Sequence, residues 1–262
     1  MNLFKAHAFG NDFLLLPAAE APPPSEHAAL ARDLCARQRG IGADGLIVYT
    51  ETPMGARMDL RNADGSFSEV SGNGVRCLAA WLANARGLQP GATVTIDTDA
   101  GGKALELLAR DARRLTFRAA MGHPEQLQRR TIDVDGTPTE AITLRVGNPQ
   151  CVVLGEVTEE RLHTIAAKLA VHPVFAEGSN VELAAVEAPN RVRILIWERG
   201  VGPTEASGTG ACASAVAAIA YGGAARDVQV VAPGGAQRVE WTDEGIFLTG
   251  WAELLFQATW RT

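Results

Sequence analysis

Asn62 to Ala83 reads NADGSFSEVSGNGVRCLAAWLA, and the order of residue types in this stretch decides the fold around it. A turn of Asn, Asp and Gly gives way to Ser71-Gly72-Asn73-Gly74 and then to an apolar run, the pattern of a loop feeding the N-terminus of a buried helix. Ser71 stands where an N-cap belongs. The run from Leu78 to Leu82 carries no charge, so the helix expected over Gly72 to Ala85 is buried on nearly every face. A second copy lies downstream: Glu198 to Ala218 reads ERGVGPTEASGTGACASAVAA, in which Ser207-Gly208-Thr209-Gly210 again precedes a run of small apolar residues. A helix start presents N–H groups that its own first turn cannot satisfy, together with the positive end of the helix dipole. Each of these two starts can therefore receive an anion such as a carboxylate.

Ser71 and Ser207 are 136 positions apart in a chain of 262 residues, which predicts two related halves. The first is expected over 1–112, rejoined by the tail 253–262, and the second over 113–252. Within the first half, strands are expected over Phe4 to Leu16 (two pieces around Gly10-Asn11-Asp12), Leu46 to Thr50, Met58 to Arg61, Thr93 to Thr98, Lys103 to Ala109 and Leu115 to Ala119. A helix over His27 to Gln38 joins the buried one. The second half repeats the order, with strands near Thr131, Ile142, Cys151, Asn180, Arg191, Val228, Arg238 and Ile246, and helices over Glu159 to Ala170 and Gly208 to Tyr221. Many strands around one buried helix per half is an α+β arrangement, not an alternating βαβ sheet.

Composition narrows the function classes. Hydrophobic residues make up 47% and charged ones 21%, an ordinary globular balance. A net charge of −6, with no Lys/Arg grouping beyond Arg113-Arg114 and Arg129-Arg130, argues against a nucleic-acid partner. Met1 to Lys5 runs straight into a strand without a signal sequence, and no apolar run is long enough to span a bilayer, so a cytoplasmic protein with no membrane partner is expected. Cys35, Cys77, Cys151 and Cys212 are scattered through apolar runs without metal-ligand spacing, which reads as reduced core thiols and no metal. The two Gly-rich turns are not phosphate loops, because no Gly-Lys-Ser/Thr follows and the dinucleotide spacing is missing.

Taken singly, Ser71 and Ser207 are caps and each asparagine a turn former. Taken in order, Gly10-Asn11-Asp12-Phe13, Gly42-Ala43-Asp44-Gly45, Asn62-Ala63-Asp64-Gly65-Ser66, Gly72-Asn73-Gly74, Gly147-Asn148-Pro149, Asn180-Val181, Glu198-Arg199-Gly200 and Gly208-Thr209-Gly210-Ala211-Cys212 resemble the motifs of diaminopimelate epimerases along essentially the whole chain. The resemblance implies two pseudo-symmetric domains, each a mixed sheet or barrel wrapped around a central helix. It implies a cofactor-independent isomerase interconverting LL- and meso-diaminopimelate for lysine and peptidoglycan biosynthesis, and it allows a homodimer. Carried over residue by residue, it places Ser71 and Ser207 at the two acid/base positions. Asn11, Asn62, Asn148, Gln150, Asn180, Glu198 and Arg199 fall on substrate, and the N–H groups around Gly72, Asn73, Gly208 and Thr209 on its α-carboxylate.

The departures from the family are specific. Both acid/base positions are cysteine in the family and serine here. Cys77 and Cys212 lie six and five residues past the serines, offsets that do not match each other and turn both side chains away from the helix start. Gln150 stands where the family commonly has His; it keeps hydrogen bonding and cannot titrate. Two accounts of the serines compete: replacement of both cysteines to hold an inactive complex, or a natural relative that binds an amino acid without epimerising it. A binding protein of that kind, or a racemase or epimerase of another amino acid, are the alternatives to a disabled diaminopimelate epimerase.

Overall fold

A computed structural model describes residues 1–261. It divides into two compact units, Met1–Ala119 with the segment from Gly250 onward, and Ala120–Thr249.

Unit 1 opens with a hairpin, β1 (Asn2–Ala8) and β2 (Asn11–Pro17), followed by α1 (His27–Cys35), β3 (Gly45–Thr52), β4 (Gly55–Asn62), the short β5 (Phe67–Ser68), α2 (Gly72–Ala85), β6 (Thr93–Thr98), β7 (Gly101–Asp111) and β8 (Arg114–Gly122). Strands joined by short turns pair antiparallel, whereas β2/β3 and β4/β6 pair parallel. A parallel join needs a long crossover, and α1 and α2 are those crossovers. Strand residues alternate between the helices. Leu14, Leu16, Leu46 and Val48 pack with Ala31 and Leu34 of α1, so Leu15 and Ile47 point to the opposite face. There α2 lies on β1, β2, β6 and β7, with Val75, Cys77, Leu78, Ala79 and Leu82 buried.

Unit 2 repeats this order with β9 (Glu125–Val134), β10 (Thr137–Val146), β11 (Asn148–Leu154), a helical segment, β12 (Asn180–Ala188), β13 (Arg191–Glu198), the short β14 (Gly202–Thr204), a central helix, β15 (Asp227–Ala232), β16 (Gly235–Thr242) and β17 (Gly245–Thr259). Again the parallel joins, β11/β12 and β13/β15, are the ones bridged by helix. The helical segment runs as α3 (Glu159–Arg161), a π-helical turn Leu162–Ala166 and α4 (Ala167–Ala170); the central helix is α5 (Gly208–Tyr221). Its Ala211, Ala213, Ala215 and Ala217 share one cluster with Ile142, Leu144, Ile194, Ile196, Val230 and Leu248. From Gly250 the last strand belongs to unit 1, where Glu253 to Thr259 pairs antiparallel with β1. Each unit is thus a mixed sheet wrapped around one helix, as the resemblance implies.

Local differences from the sequence expectations have physical causes. The division falls at Ala119/Ala120, inside β8, and not at the expected 112/113, because the turn Arg110 to Arg114 is the tip of a hairpin whose second strand, β8, pairs back onto β7 as far as Ala119. Helix α1 ends at Cys35, short of Gln38, because the chain turns back early: the N–H groups of Ile41 and Gly42 cap the Leu34 carbonyl at 2.9 and 3.0 Å. The π turn holds Thr164, whose hydroxyl donates to the Glu160 carbonyl at 2.8 Å and competes there with main-chain N–H groups. The short strands β5 and β14, which lead into the two serine turns, carry no periodic signal.

Enclosure of α5 predicts a contrast. Ala215→Leu adds three carbons to a fully buried site and should cost about 1–3 kcal/mol by overpacking. Ala220→Leu, on the exposed side near the helix end, should stay within about 0.5 kcal/mol. Urea unfolding of both variants checks this, and equal costs would mean that α5 is not tightly enclosed.

Candidate active site

Ser71 and Ser207 hold the same position in their units. Both have extended backbone (φ −131°, ψ 121° and φ −136°, ψ 130°), and each hydroxyl accepts the N–H of the glycine three residues on, Gly74 or Gly210, at 3.1 Å. Both are N-caps, so the structural role is real whatever else the serines do. The cap places each hydroxyl at the rim of the helix start, with the N–H groups of residues 72 and 73, or 208 and 209, projecting from the first turn beside it. Ser71 is half-buried and Ser207 buried. Neither serine turn contains Lys or His.

In unit 1 the asparagines are aimed by their neighbours. Asn11 donates its Nδ2 to Asp44 Oδ2 at 2.8 Å, which turns Oδ1 outward. Asp44 is itself fixed by the Asp12 N–H and by Arg37, and Asp12 by Lys5, Arg37 and the Asp44 N–H. Burial works against ionisation of Asp12, but the hydrogen bonds and charges of Lys5 and Arg37 outweigh it and hold its pKa below the usual carboxylate range. Asp12 and Asp44, turn and cap residues by sequence, therefore position Asn11. Asn62 likewise gives its Nδ2 to Ser66 Oγ at 2.9 Å. Asn73 is buried, with its Oδ1 accepting from Arg76 at 3.1 Å, so its side chain serves the helix.

In unit 2, pairing of Val181 with Trp197 brings Asn180 beside Glu198 and Arg199. Asn180 Oδ1 accepts the Arg199 N–H at 2.9 Å, which leaves its amide hydrogens for another partner, and Arg199 Nη1 donates to the Glu177 carbonyl at 2.7 Å. Asn148 opens β11 just after Gly147, which turns the chain at φ +77°, and Gln150 Nε2 donates to Asn148 Oδ1 at 2.6 Å. Gln150 itself is 1% exposed. Pro149 and Gln150 also wall a groove of about 290 Å³ that includes Arg130 and Arg145 but neither Ser207 nor Thr209, so the groove adjoins the helix start without containing it.

Two residues were missed by sequence reasoning. Arg76 is 2% exposed on α2, with its guanidinium 5.6 Å above the ring of Phe9, a buried residue held in the left-handed region at φ +54°. One charge opening an otherwise uncharged helical run was the available signal. The other is Glu182, fully buried on β12. Burial, and then the charge of Glu198, raises its pKa well above the ordinary carboxyl value. A glutamate between Val181 and Leu183 in a strand flanked by a parallel neighbour could have been noticed, since such strands are buried on both faces. The four cysteines are buried thiols; burial pushes that of Cys35 up to about 12 and raises those of Cys77 and Cys151 as well. That rules out Cys77 as a ready base.

Known proteins match this arrangement over its length. Residues 3–127 and 142–255 fit the family model for diaminopimelate epimerase. A diaminopimelate epimerase of Desulforudis audaxviator is 37% identical, the alignment covering 99% of each chain; one of Desulfitobacterium hafniense is 36% identical, covering 98% of this chain and 97% of that one. Among solved structures, a predicted epimerase from Pseudomonas aeruginosa superimposes with a TM-score of 0.76 at 19% identity, covering 100% of this chain and 99% of that one. A hydroxyproline epimerase from Agrobacterium vitis, with trans-4-hydroxy-L-proline bound, gives 0.70 at 15% identity over 98% and 91%. These likenesses extend the fold to epimerases of quite different sequence.

Two outcomes follow for stability. Ser71→Ala removes the α2 cap and should lower unfolding free energy by about 1 kcal/mol, measurable in urea. For Glu182, a folded-state pKa above the unfolded value means that the folded chain keeps a proton the unfolded chain has released. Its contribution is full below the unfolded carboxyl pKa and is lost as pH climbs toward the folded one. Glu182→Gln has no such proton, so its advantage in thermal midpoint over the parent chain should grow between pH 5 and pH 8. Parallel curves would show Glu182 already ionised in the fold.

Proposed function

Because the chain belongs to the diaminopimelate epimerase family, we propose that it binds diaminopimelate with Ser71 and Ser207 at the two acid/base positions and, with serine there, turns the substrate over slowly or not at all. The observation that carries this reading is the pair of serine-capped helix starts, identical in backbone and hydrogen bonding. Inverting an α-carbon without a cofactor requires one group to take the proton from one face while another gives a proton to the other. Negative charge then spreads onto the α-carboxylate. Main-chain N–H groups at residues 72, 73, 208 and 209, already oriented by the helices, suit that charge and would strengthen as it develops.

Around the rest of the substrate, Asn11 and Asn62 turn carbonyl oxygens outward and suit an ammonium, while Asn180 and Arg199 carry donors suited to a carboxylate and Glu198 an acceptor for a second ammonium. A substrate with an amino and a carboxylate group at each end, as diaminopimelate has, uses both kinds. An amino acid with an apolar tail would leave Glu198 and Arg199 idle. This supports an enzyme of the lysine and peptidoglycan route over a racemase of another amino acid.

The chemistry turns on sulfur against oxygen. A helix N-terminus brings a thiol from about 8.5 toward neutrality, which supplies both a thiolate and a thiol at working pH. A serine hydroxyl offers no anion there and needs a neighbouring base, which neither turn supplies. General acid–base groups contribute about 10²–10⁴-fold each, so losing both leaves at most a trace of activity. Binding should survive, since the donors and the caps are unchanged.

The test is α-proton exchange of LL-diaminopimelate in D₂O followed by NMR, on this chain and on Ser71→Cys/Ser207→Cys. Exchange and meso isomer with the double variant, at least about 10⁴-fold faster than with the parent, is the expected result. Failure of both chains to exchange or to bind the compound in calorimetry would overturn the diaminopimelate assignment.

A further inference from the structure

The two helix starts are built alike above the serine and differently below it. The third helical residue is a glycine in both, Gly74 and Gly210, each packed so closely that a Cβ would lie 3.3 or 3.1 Å from the serine Cβ. Beneath Gly74 sit Ile47 and Phe13, at 3.1 and 3.4 Å from that hypothetical Cβ; beneath Gly210 sits the Glu182 carboxyl, with Oε1 at 2.5 Å. Strand register shows that these are equivalent places. Phe13 pairs with Gly45, and Ile47 is two residues along; Gln150 pairs with Asn180, and Glu182 is two residues along. An apolar pair therefore fits this position, and unit 2 has a buried polar pair instead.

The Gln150 carboxamide sits between Glu182 and Asn148, and one of its two orientations requires a proton on Glu182. In one, Nε2 donates to Asn148 Oδ1 at 2.6 Å, and Oε1 faces the Glu182 oxygens at 3.0 and 3.3 Å, which requires a proton on Glu182. In the other, Nε2 faces an ionised Glu182 and Oε1 takes the Thr209 hydroxyl at 3.1 Å, and Asn148 must itself turn over to present Nδ2 to Gln150. Complete burial, with the Glu198 charge of β13 nearby, favours the neutral acid: β11 and α5 carry no cation, and Arg191 and Arg193 of β13 pair with Glu187 instead. The first orientation then satisfies every group without turning Asn148 over, the acid O–H donating to Gln150 Oε1 while Nε2 keeps its 2.6 Å bond to Asn148 Oδ1. Asn148 Oδ1 is taken from within, and its amide hydrogens are the end presented to a ligand.

We propose that Glu182 is a positioning residue that acts as a neutral acid through Gln150, locking Asn148 with its N–H₂ toward a carboxylate oxygen of the substrate. This rests on the reading of Asn148 as a substrate contact. Ionised, the same chain of groups would present an Asn148 oxygen and repel that carboxylate, so ligand affinity reads the proton on Glu182.

Two measurements test it. Infrared difference spectra of the ligand-free protein, parent minus Glu182→Gln, should show a protonated carboxyl C=O band at pH 7; a carboxylate band instead would overturn the proposal, with no dependence on what the ligand is. Calorimetric titration with LL-diaminopimelate should show Glu182→Gln within about threefold of the parent, since an amide can still donate to Gln150. The double variant Gln150→Phe/Glu182→Ile copies the apolar pair of unit 1 and should fold at least as stably, because a buried polar pair replaced by well-packed apolar groups is often neutral or stabilising. Its affinity should nevertheless fall about tenfold or more. Undiminished affinity in a folded double variant would reduce Glu182 to a structural role. An acid band together with no binding by the parent would leave the Glu182–Gln150 link standing and remove the diaminopimelate reading.

Discussion

A helix wrapped in a sheet must satisfy or expose the N–H groups of its first turn, and the rest of this structure follows from how that is done twice. Each central helix is capped by one serine hydroxyl on the glycine three residues on, at 3.1 Å in both units. The cap spends one donor and leaves the earlier N–H groups projecting around the hydroxyl. A glycine is needed at the third position because the sheet presses against it: Ile47 and Phe13 in one unit, Glu182 in the other, leave no room for a Cβ. The same constraint that closes the core thus leaves a set of oriented N–H groups beside each serine hydroxyl.

Repetition of this device explains the economy of the fold. Both units use helix only where strands join in parallel and need a crossover, so one crossover becomes the central helix and the other covers the outer face of the sheet. The supports of the asparagines differ between the units. Unit 1 holds Asn11 with an Asp12–Asp44–Arg37–Lys5 cluster at the start of β2 and Asn62 with the Ser66 hydroxyl, whereas unit 2 uses uncharged hydrogen bonds through Gln150 and a main-chain N–H.

Much of this was legible in the chain before any coordinates. Ser71 and Ser207 as caps, Gly72–Ala85 and Gly208–Tyr221 as helices with those bounds, and the repeated element order all come from local rules of capping and periodicity, which act over a few residues and leave their mark in residue type. Glu198 and Arg199 lie next to each other in sequence, so their proximity needed no fold. Asp12 and Asp44, by contrast, are ordinary turn residues until parallel pairing of β2 and β3 sets them 32 positions apart in sequence and in hydrogen-bond contact.

Glu182 and Gln150 show where local reading stops. A glutamate or a glutamine in a strand names a hydrogen-bonding group but not its neighbour, its burial or its proton, all of which depend on which strand lies alongside and which helix lies above. Sequence alone determined the two capped helix starts, the α+β repeat, the family and the serine that stands at each helix start. Tertiary structure alone decided which way the asparagines face and that a buried acid stands under one helix start and an isoleucine under the other, because those properties belong to strand register and packing between residues far apart in the chain.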